Sequence, residues 1–286
     1  MSSINLDPTL SKKLDQGMRA GEAVELPFPV VYMWALNGQT SYKAQGGALY
    51  FGGWACKAED LNAVAEQQGL SVPKEWKLVT IASRDGGEFE AYTTRQAIVA
   101  PVGKRVSWLH EGKRSSNYIE GGRRHVQILA YLAETQSTNG SKQYIPWGPI
   151  VLTAKGYQAR NLLDAFARWD KATSSIRRKV ASGMHAAVIP AWCFYLVLGT
   201  FGKERQAINV GKPGAQSPIT PISAYIPEKI TEQLMTSLFV GPEIAAVMSD
   251  MQDQAEDWLR AWNEAALLEP DEFQEATFQP EEEIPF

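Results

Sequence analysis

The chain has 286 residues, of which 44% are hydrophobic and 10% aromatic, so it can bury a substantial core and is not a wholly disordered protein. Its net charge of −4 is unevenly distributed: residues 250–286 contain 12 acids and one base, so residues 1–249 carry 27 Lys and Arg against 20 Asp and Glu. A basic body with an acidic arm is typical of nucleic-acid binders whose arm competes for the body or recruits partners.

The cysteines and the N-terminus indicate the cellular compartment. Cys56 and Cys193 are the only cysteines, and both lie among apolar or aromatic neighbours, so we expect two reduced core thiols. The first 20 residues lack the apolar region of a signal peptide, and no run of ~18 apolar residues occurs anywhere. These features predict a cytoplasmic protein without a membrane segment.

The body begins with two predicted strands that mix aromatic residues and glycine. Residues 1–25 indicate an N-terminal arm; residues 30–36 then favour a strand that ends at an Asn-Gly turn, and a second strand is predicted over residues 48–56. Half of a strand's side chains face the core, so packing is one role for these rings, but rings beside a cation are also a surface on which unpaired bases stack. The candidate nucleic-acid-binding residues here are Tyr42, Lys43, Tyr50 and Trp54.

The next part of the chain predicts one short helix and then a run of strands. Residues 58–68 have an amphipathic helical pattern, and Gly69 is the expected C-terminal stop. Short β-rich segments separated by glycine follow, as in an antiparallel sheet or a small barrel. These predicted strands cover residues 76–82, 89–94, 96–102 and 105–109.

The segment from residue 104 to residue 124 is the best candidate for a nucleic-acid contact. It is predicted as a flexible, glycine-containing basic loop that follows a phosphate backbone while its aromatic rings stack on bases. The alternative is an ordinary exposed loop whose charges keep a sheet edge soluble. The candidate residues are Lys104, Arg105, Trp108, Lys113, Arg114, Tyr118, Arg123 and Arg124.

The remainder of the body alternates strands and helices. We expect strands over residues 126–133 and 150–153 with a polar loop at 136–142, a helix over 155–180, a central strand over 191–201, and helices over 228–239 and 243–268. Apolar residues recur at three- and four-residue steps in the last helix. That stripe favours docking on the body, with pairing to a second subunit in a homo-oligomer as the alternative.

The C-terminal tail has the composition of a solvated, extended segment. Seven acids follow from Glu269 onward without a Lys or Arg, and like charges at that density oppose folding. The chain ends in an apolar tip and a free carboxylate. A terminal Phe docks readily in a hydrophobic pocket while its carboxylate pairs with a cation on the rim.

The end of this tail resembles that of the bacterial single-stranded DNA-binding protein (SSB) family, in which an acidic run is followed by Ile-Pro-Phe. The matching residues are Glu281, Glu282, Glu283, Ile284, Pro285 and Phe286, with Glu where Asp is commoner in the family. The resemblance implies a disordered tail that recruits replication, recombination and repair proteins, and a body built on the five-stranded OB-fold barrel. It covers only the tail, so it indicates a divergent phage- or plasmid-type analogue.

Motifs for catalysis are missing from the sequence. No GxxxxGK[ST] phosphate loop, CxxC or HExxH occurs, and the three histidines, His110, His125 and His185, lack metal-ligand spacing. We therefore expect no catalytic residues, no metal and no cofactor.

The sequence thus predicts an α+β protein with a β-rich body, an elaborated OB-fold barrel by resemblance, together with inserted and C-terminal helices. The predicted units are an arm (1–25), a nucleic-acid-binding body (26–240), a C-terminal helix (241–268) and a disordered acidic tail (269–286). The predicted function is to bind and protect single-stranded DNA and to recruit host replication, recombination or repair proteins. The alternatives are a DNA-metabolism enzyme or recombination mediator with the same tip, and an interaction protein whose tip is coincidental.

Overall fold

The computed structural model describes residues 24–36, 43–44, 52–82, 87–111, 113–115, 117–138, 141–183, 189–201, 208–211 and 216–264. Most of the expected N-terminal arm, the candidates Tyr42 and Tyr50, and the whole acidic tail with its tip lie outside the described residues.

The described residues form thirteen strands, most of them in the first two thirds of the chain. The strands are β1 (Val31–Leu36), β2 (Lys43–Ala44), β3 (Gly53–Lys57), β4 (Lys77–Ala82), β5 (Glu88–Thr94), β6 (Gln96–His110), β7 (Lys113–Ser115), β8 (Arg123–Thr138), β9 (Ser141–Lys155), β10 (Leu196–Gly199), β11 (Ile208–Val210), β12 (Ser217–Ile219) and β13 (Ser223–Ala224).

Five helices accompany them in the described part of the chain: α1 (Ala58–Gln68), α2 (Gly156–Gly183), α3 (Glu232–Leu238), α4 (Pro242–Gln254) and α5 (Glu256–Glu264), with a 3-10 turn at Ala191–Cys193. Helix α1 has the predicted bounds, and Gly69 ends it with a left-handed backbone (φ 65°) that glycine adopts without steric strain.

Eleven of the strands form one strongly curled sheet that resembles half a barrel. Its order is β13-β10-β6-β8-β9-β1-β3-β5-β4-β2, and β7 pairs with β6 beside this path. The pairing of β1 with β9 is parallel, and the other pairs are antiparallel. The predicted α+β class is therefore confirmed, whereas the five-stranded OB-fold stays a prediction.

The prediction of a flexible basic loop at residues 104–124 is wrong. The two short strands expected at 96–102 and 105–109 are one strand, β6, which continues past Gly103 through a bulge between Pro101 and Gly103. Together with β7 and β8 it turns most of residues 104–124 into a three-stranded ribbon. Strand β6 stays paired with β8 on both sides of this bulge, from the Ile98–Ala133 pair to the Leu109–Arg123 pair. The hydrogen bonds between the two strands therefore continue past Gly103.

Two other predicted elements also differ from expectation. The polar loop at 136–142 is largely strand, because β8 and β9 stay paired out to Thr138 and Ser141. The expected central strand at 191–201 is a 3-10 turn followed by β10, which lies second from one end of the sheet. The apolar residues that precede Leu196 in this segment pack in the core but are not part of β10.

One main core joins the sheet to the helices. It extends from Val31 in β1 to Trp258 in α5 and includes Met248, Met251 and Ala255. The expected docking of the C-terminal apolar stripe on the body is confirmed, although the single predicted helix is two, separated at Ala255. None of the helices in the described residues is both long and apolar enough to cross a membrane.

Candidate nucleic-acid interface

The ribbon of β6, β7 and β8 carries most of the predicted basic and aromatic residues and divides them between its two faces. Successive side chains of a strand point to opposite faces, so Trp108 and Arg105 of β6 are separated. Trp108 lies opposite Arg124 of β8, whereas Arg105 lies opposite Gln127. The predicted site is therefore two clusters, one open to solvent and one covered by helix α5.

The open cluster consists of Trp108, Tyr118 and Arg124. The Trp108 and Tyr118 rings meet edge to face with their centroids 4.8 Å apart, and the Arg124 guanidinium lies 4.7 Å from the Trp108 ring. Tyr118 is 68% exposed. Lys104 is exposed on the same face of the ribbon as Trp108, whereas Arg123 is exposed on the opposite face, because it is the neighbour of Arg124 in β8. This arrangement of a partly exposed indole, an exposed phenol and cations can stack a base and contact its phosphate.

The covered cluster consists of Arg105, Ser107, Arg114, His125 and Gln127, which lie under Trp258 and Trp262 of α5. Arg105 donates from Nε and Nη2 to Gln127 Oε1 (2.9 and 2.6 Å) and from Nη1 to the Trp258 carbonyl (2.9 Å). Its guanidinium lies 3.6 Å from the Trp258 ring and 4.3 Å from the Trp262 ring.

Arg114 occupies the same face from the neighbouring strand. It donates to Ser107 Oγ (2.7 Å), and its guanidinium lies 4.0 Å from the Trp262 ring. Burial, followed by the positive charge of Arg114, lowers the pKa of Arg105 to about 10, so Arg105 remains charged at neutral pH. Within the described residues, neither guanidinium forms an ion pair with a carboxylate. Aromatic rings and neutral oxygens thus hold both charges.

His125 is the neutral member of the covered cluster. Burial, together with the nearby charges of Arg114, Lys155 and Arg105, lowers the pKa of its imidazole to about 3. Its Nδ1 lies 3.3 Å from Arg114 Nη1 and therefore accepts, which leaves the proton on Nε2. Within this cluster, that Nε2 and Trp258 Nε1 are buried and have no hydrogen-bond partner among the described atoms. An unsatisfied buried donor costs about 1–3 kcal/mol.

We expect the free energy of unfolding to decrease as the pH is lowered from about 7 to about 5. The unfolded imidazole takes up a proton near its ordinary pKa of 6.5, whereas the folded one stays neutral down to about pH 3. Across that window the loss approaches about 1.4 kcal/mol per pH unit. Denaturant unfolding of the parent and of His125→Gln at both pH values isolates this contribution.

The control for this measurement is His110→Gln, which changes an exposed histidine on the same ribbon. His125→Gln should reduce the pH dependence of the parent more than this control does. If the free energy of unfolding depends on pH equally in all three proteins, His125 can be protonated in the folded state without a loss of stability.

Several predicted contact residues have other positions. Trp54 is completely buried, and its Nε1 donates to the Leu198 carbonyl (3.2 Å), so its ring packs in the core and is closed to a base. Arg105 is buried as well, so the expected contact of its side chain with a phosphate does not form in this structure. The backbones of Lys43 and Lys113 lie in β2 and β7, and their side chains are outside the described part.

Sequence reasoning missed the two tryptophans, the histidine, the glutamine and the serine of the covered cluster. Trp258 and Trp262 were recognised only as members of an apolar stripe, and their four-residue spacing shows that they share a helix face. No local signal relates them to Arg105, which is 153 positions away from Trp258.

Metal and thiol chemistry are not indicated at this surface. No group of three or more potential metal ligands occurs among the described residues. Both cysteines are free and buried, as expected, and burial raises the pKa of the Cys56 thiol strongly and that of Cys193 to about 11. Both thiols are therefore protonated at neutral pH and unreactive.

Comparisons of the chain with protein-family models, with curated proteins and with solved structures found no match.

Proposed function

We propose that this protein binds single-stranded DNA through the β6–β7–β8 ribbon and recruits partner proteins through its C-terminal tip. The observation that carries the proposal is the open cluster, in which Trp108, Tyr118 and Arg124 combine aromatic faces with positive charge at the surface. The proposal does not depend on OB-fold topology, because stacking and phosphate contacts require a surface of this chemistry and no particular strand order.

Single strands fit this surface better than duplexes do. The Trp108 and Tyr118 rings stand edge to face. A base can stack on one of these rings only if its own flat face is free, and only an unpaired base has a free face. Every base has such a face, so this contact tolerates all sequences. The exposed cation Lys104, on the same face as Trp108, adds a contact to the phosphate backbone that is likewise independent of sequence.

The position of helix α5 relates the strand-binding surface to the tail. Trp262, near the end of α5, lies against Arg114 of the ribbon. The acidic tail follows α5 in the sequence after Glu264. Because the tail is joined through the chain to a helix that packs on the ribbon, we expect its glutamates to compete with the phosphates of a bound strand.

The test of the function is a titration of a fluorescent oligonucleotide at a series of salt concentrations. We expect tight binding of single strands, weaker binding of duplex, and a decrease of log affinity against log salt of ~0.7 per phosphate contacted. Single-strand affinity that is independent of salt, or a preference for duplex, would contradict the proposal.

Trp108→Ala should weaken single-strand binding by about 5- to 150-fold, which corresponds to ~1–3 kcal/mol for one stacked base. The matched control is Trp76→Ala, which removes another partly buried indole, beside the acids Glu75 and Glu134. The control should bind as the parent does. Equal affinity of the folded Trp108 variant and the parent would exclude this ring as a stacking surface.

A further inference from the structure

We propose that the covered cluster is a second binding site for unpaired nucleobases, occupied in this structure by the indole rings of Trp258 and Trp262 and opened when helix α5 moves away. This inference rests on the proposed function and extends it to the opposite face of the same ribbon. Trp108 and the open cluster provide the first contact, and the covered cluster provides the second.

The covered cluster already holds flat nitrogen heterocycles. The Trp262 ring lies 4.3 Å from the Arg105 guanidinium and 4.0 Å from that of Arg114, and the Trp258 ring lies 3.6 Å from Arg105. Planar guanidinium groups stack on nucleobases in the same way as on indoles. A surface with two guanidiniums and no described carboxylate partner also attracts the phosphates that accompany each base.

Unsatisfied hydrogen-bonding groups at the same place point to a ligand with polar edges. His125 is 94% buried, with 6% of its surface exposed, and its ring centroid lies 4.7 Å from that of Trp262. Its Nε2 has no described partner, because an indole ring offers no acceptor at its edge. A base in the position of Trp262 carries carbonyl oxygens and ring nitrogens that accept from this donor.

Helix α5 has the features of a displaceable element. It is nine residues long, too short to be stable by itself, and is separated from α4 at Ala255. It is held to β6 by Trp258, Leu259 and Trp262, while its other side is exposed at Glu256, Asp257 and Arg260. When α5 moves away, incoming bases would stack on the guanidinium groups of Arg105 and Arg114 in place of the indoles. Both positive charges would therefore remain covered.

The sharpest test is a reversible cross-link between α5 and β6. A β-carbon at Gly103 would lie 3.5 Å from Leu259 Cγ, and that atom is one bond of about 1.5 Å from Leu259 Cβ, so the two β-carbons lie within about 5 Å. The double variant Gly103→Cys/Leu259→Cys is therefore placed to form a disulfide, and the native Cys56 and Cys193 are both buried. Mass spectrometry of the oxidised protein would verify that the intended pair is bonded.

We expect the reduced double variant to bind a labelled 20-residue oligo-dT at least as tightly as the parent, and the oxidised form to bind at least about tenfold more weakly than the reduced form. Equal affinity of both forms would overturn the inference, because the helix then need not move, while the proposed function would stand. Failure of the parent itself to bind would overturn the proposed function and this inference together.

A second variant tests the occupant directly. Trp262→Ala removes one competing ring but keeps Arg105 and Arg114, so we expect single-strand affinity to rise several-fold. A merely structural role for Trp262 predicts no increase. Unchanged or weaker binding by this variant, once circular dichroism shows that it is folded, would overturn the inference even if the cross-linked protein cannot be prepared.

Discussion

Deletion of Phe286 alone is expected to abolish the capture of replication and repair proteins while leaving single-strand binding almost unchanged. The deletion removes the apolar ring that fills a partner's pocket and shifts the terminal carboxylate, and a buried aromatic anchor supplies much of the energy of such a contact. All seven acids from Glu269 onward remain, so the electrostatics of the body are preserved. Pull-downs with the intact and truncated proteins provide the measurement.

Deletion of residues 269–286 is the complementary control. It removes the acids as well as the tip, so partner capture should again be lost but single-strand affinity should rise, most at low salt where screening is weakest. Recovery of the same partners by all three proteins would mean that the resemblance of the tip to SSB proteins is coincidental.

Trp54→Ala is expected to lower the free energy of unfolding by about 3–5 kcal/mol, the usual cost of truncating a buried tryptophan to alanine. The ring is completely buried between strands, and its Nε1 donates to the Leu198 carbonyl across the sheet. Truncation creates a cavity and also leaves that carbonyl without its donor. Denaturant unfolding followed by circular dichroism measures the loss.

Two variants separate the causes of this loss. Trp54→Phe keeps much of the volume but deletes the donor, and should cost about 1–3 kcal/mol. Trp108→Ala should cost less than Trp54→Ala because its indole is only partly buried, even though it weakens DNA binding. If Trp54→Ala unfolds at the same denaturant concentration as the parent, the ring is not in the core and returns as a candidate for base stacking.

Local patterns were sufficient where the determining contacts are close in the sequence. Helix α1 was predicted with the correct bounds because its apolar positions share one face and Gly69 supplies the left-handed backbone that ends it. Helix α2 follows the same logic over residues 156–183. The composition of residues 104–124 identified the basic and aromatic segment but not its strands. A glycine in a sequence usually indicates a break, whereas here the pairing of β6 with β8 keeps the strand going past Gly103.

The sequence by itself determined the α+β class, the apolar stripe of the last helices and the separation of a basic body from an acidic tail, since these depend on composition and periodicity. Only the tertiary structure decided which basic residues share a face and which of them are covered. Arg105 and Trp108 are three positions apart, yet strand alternation sends one beneath Trp258 and the other towards Tyr118. The contact of Arg105 with Trp258 joins residues 153 positions apart, and so long a separation leaves no trace in a local pattern.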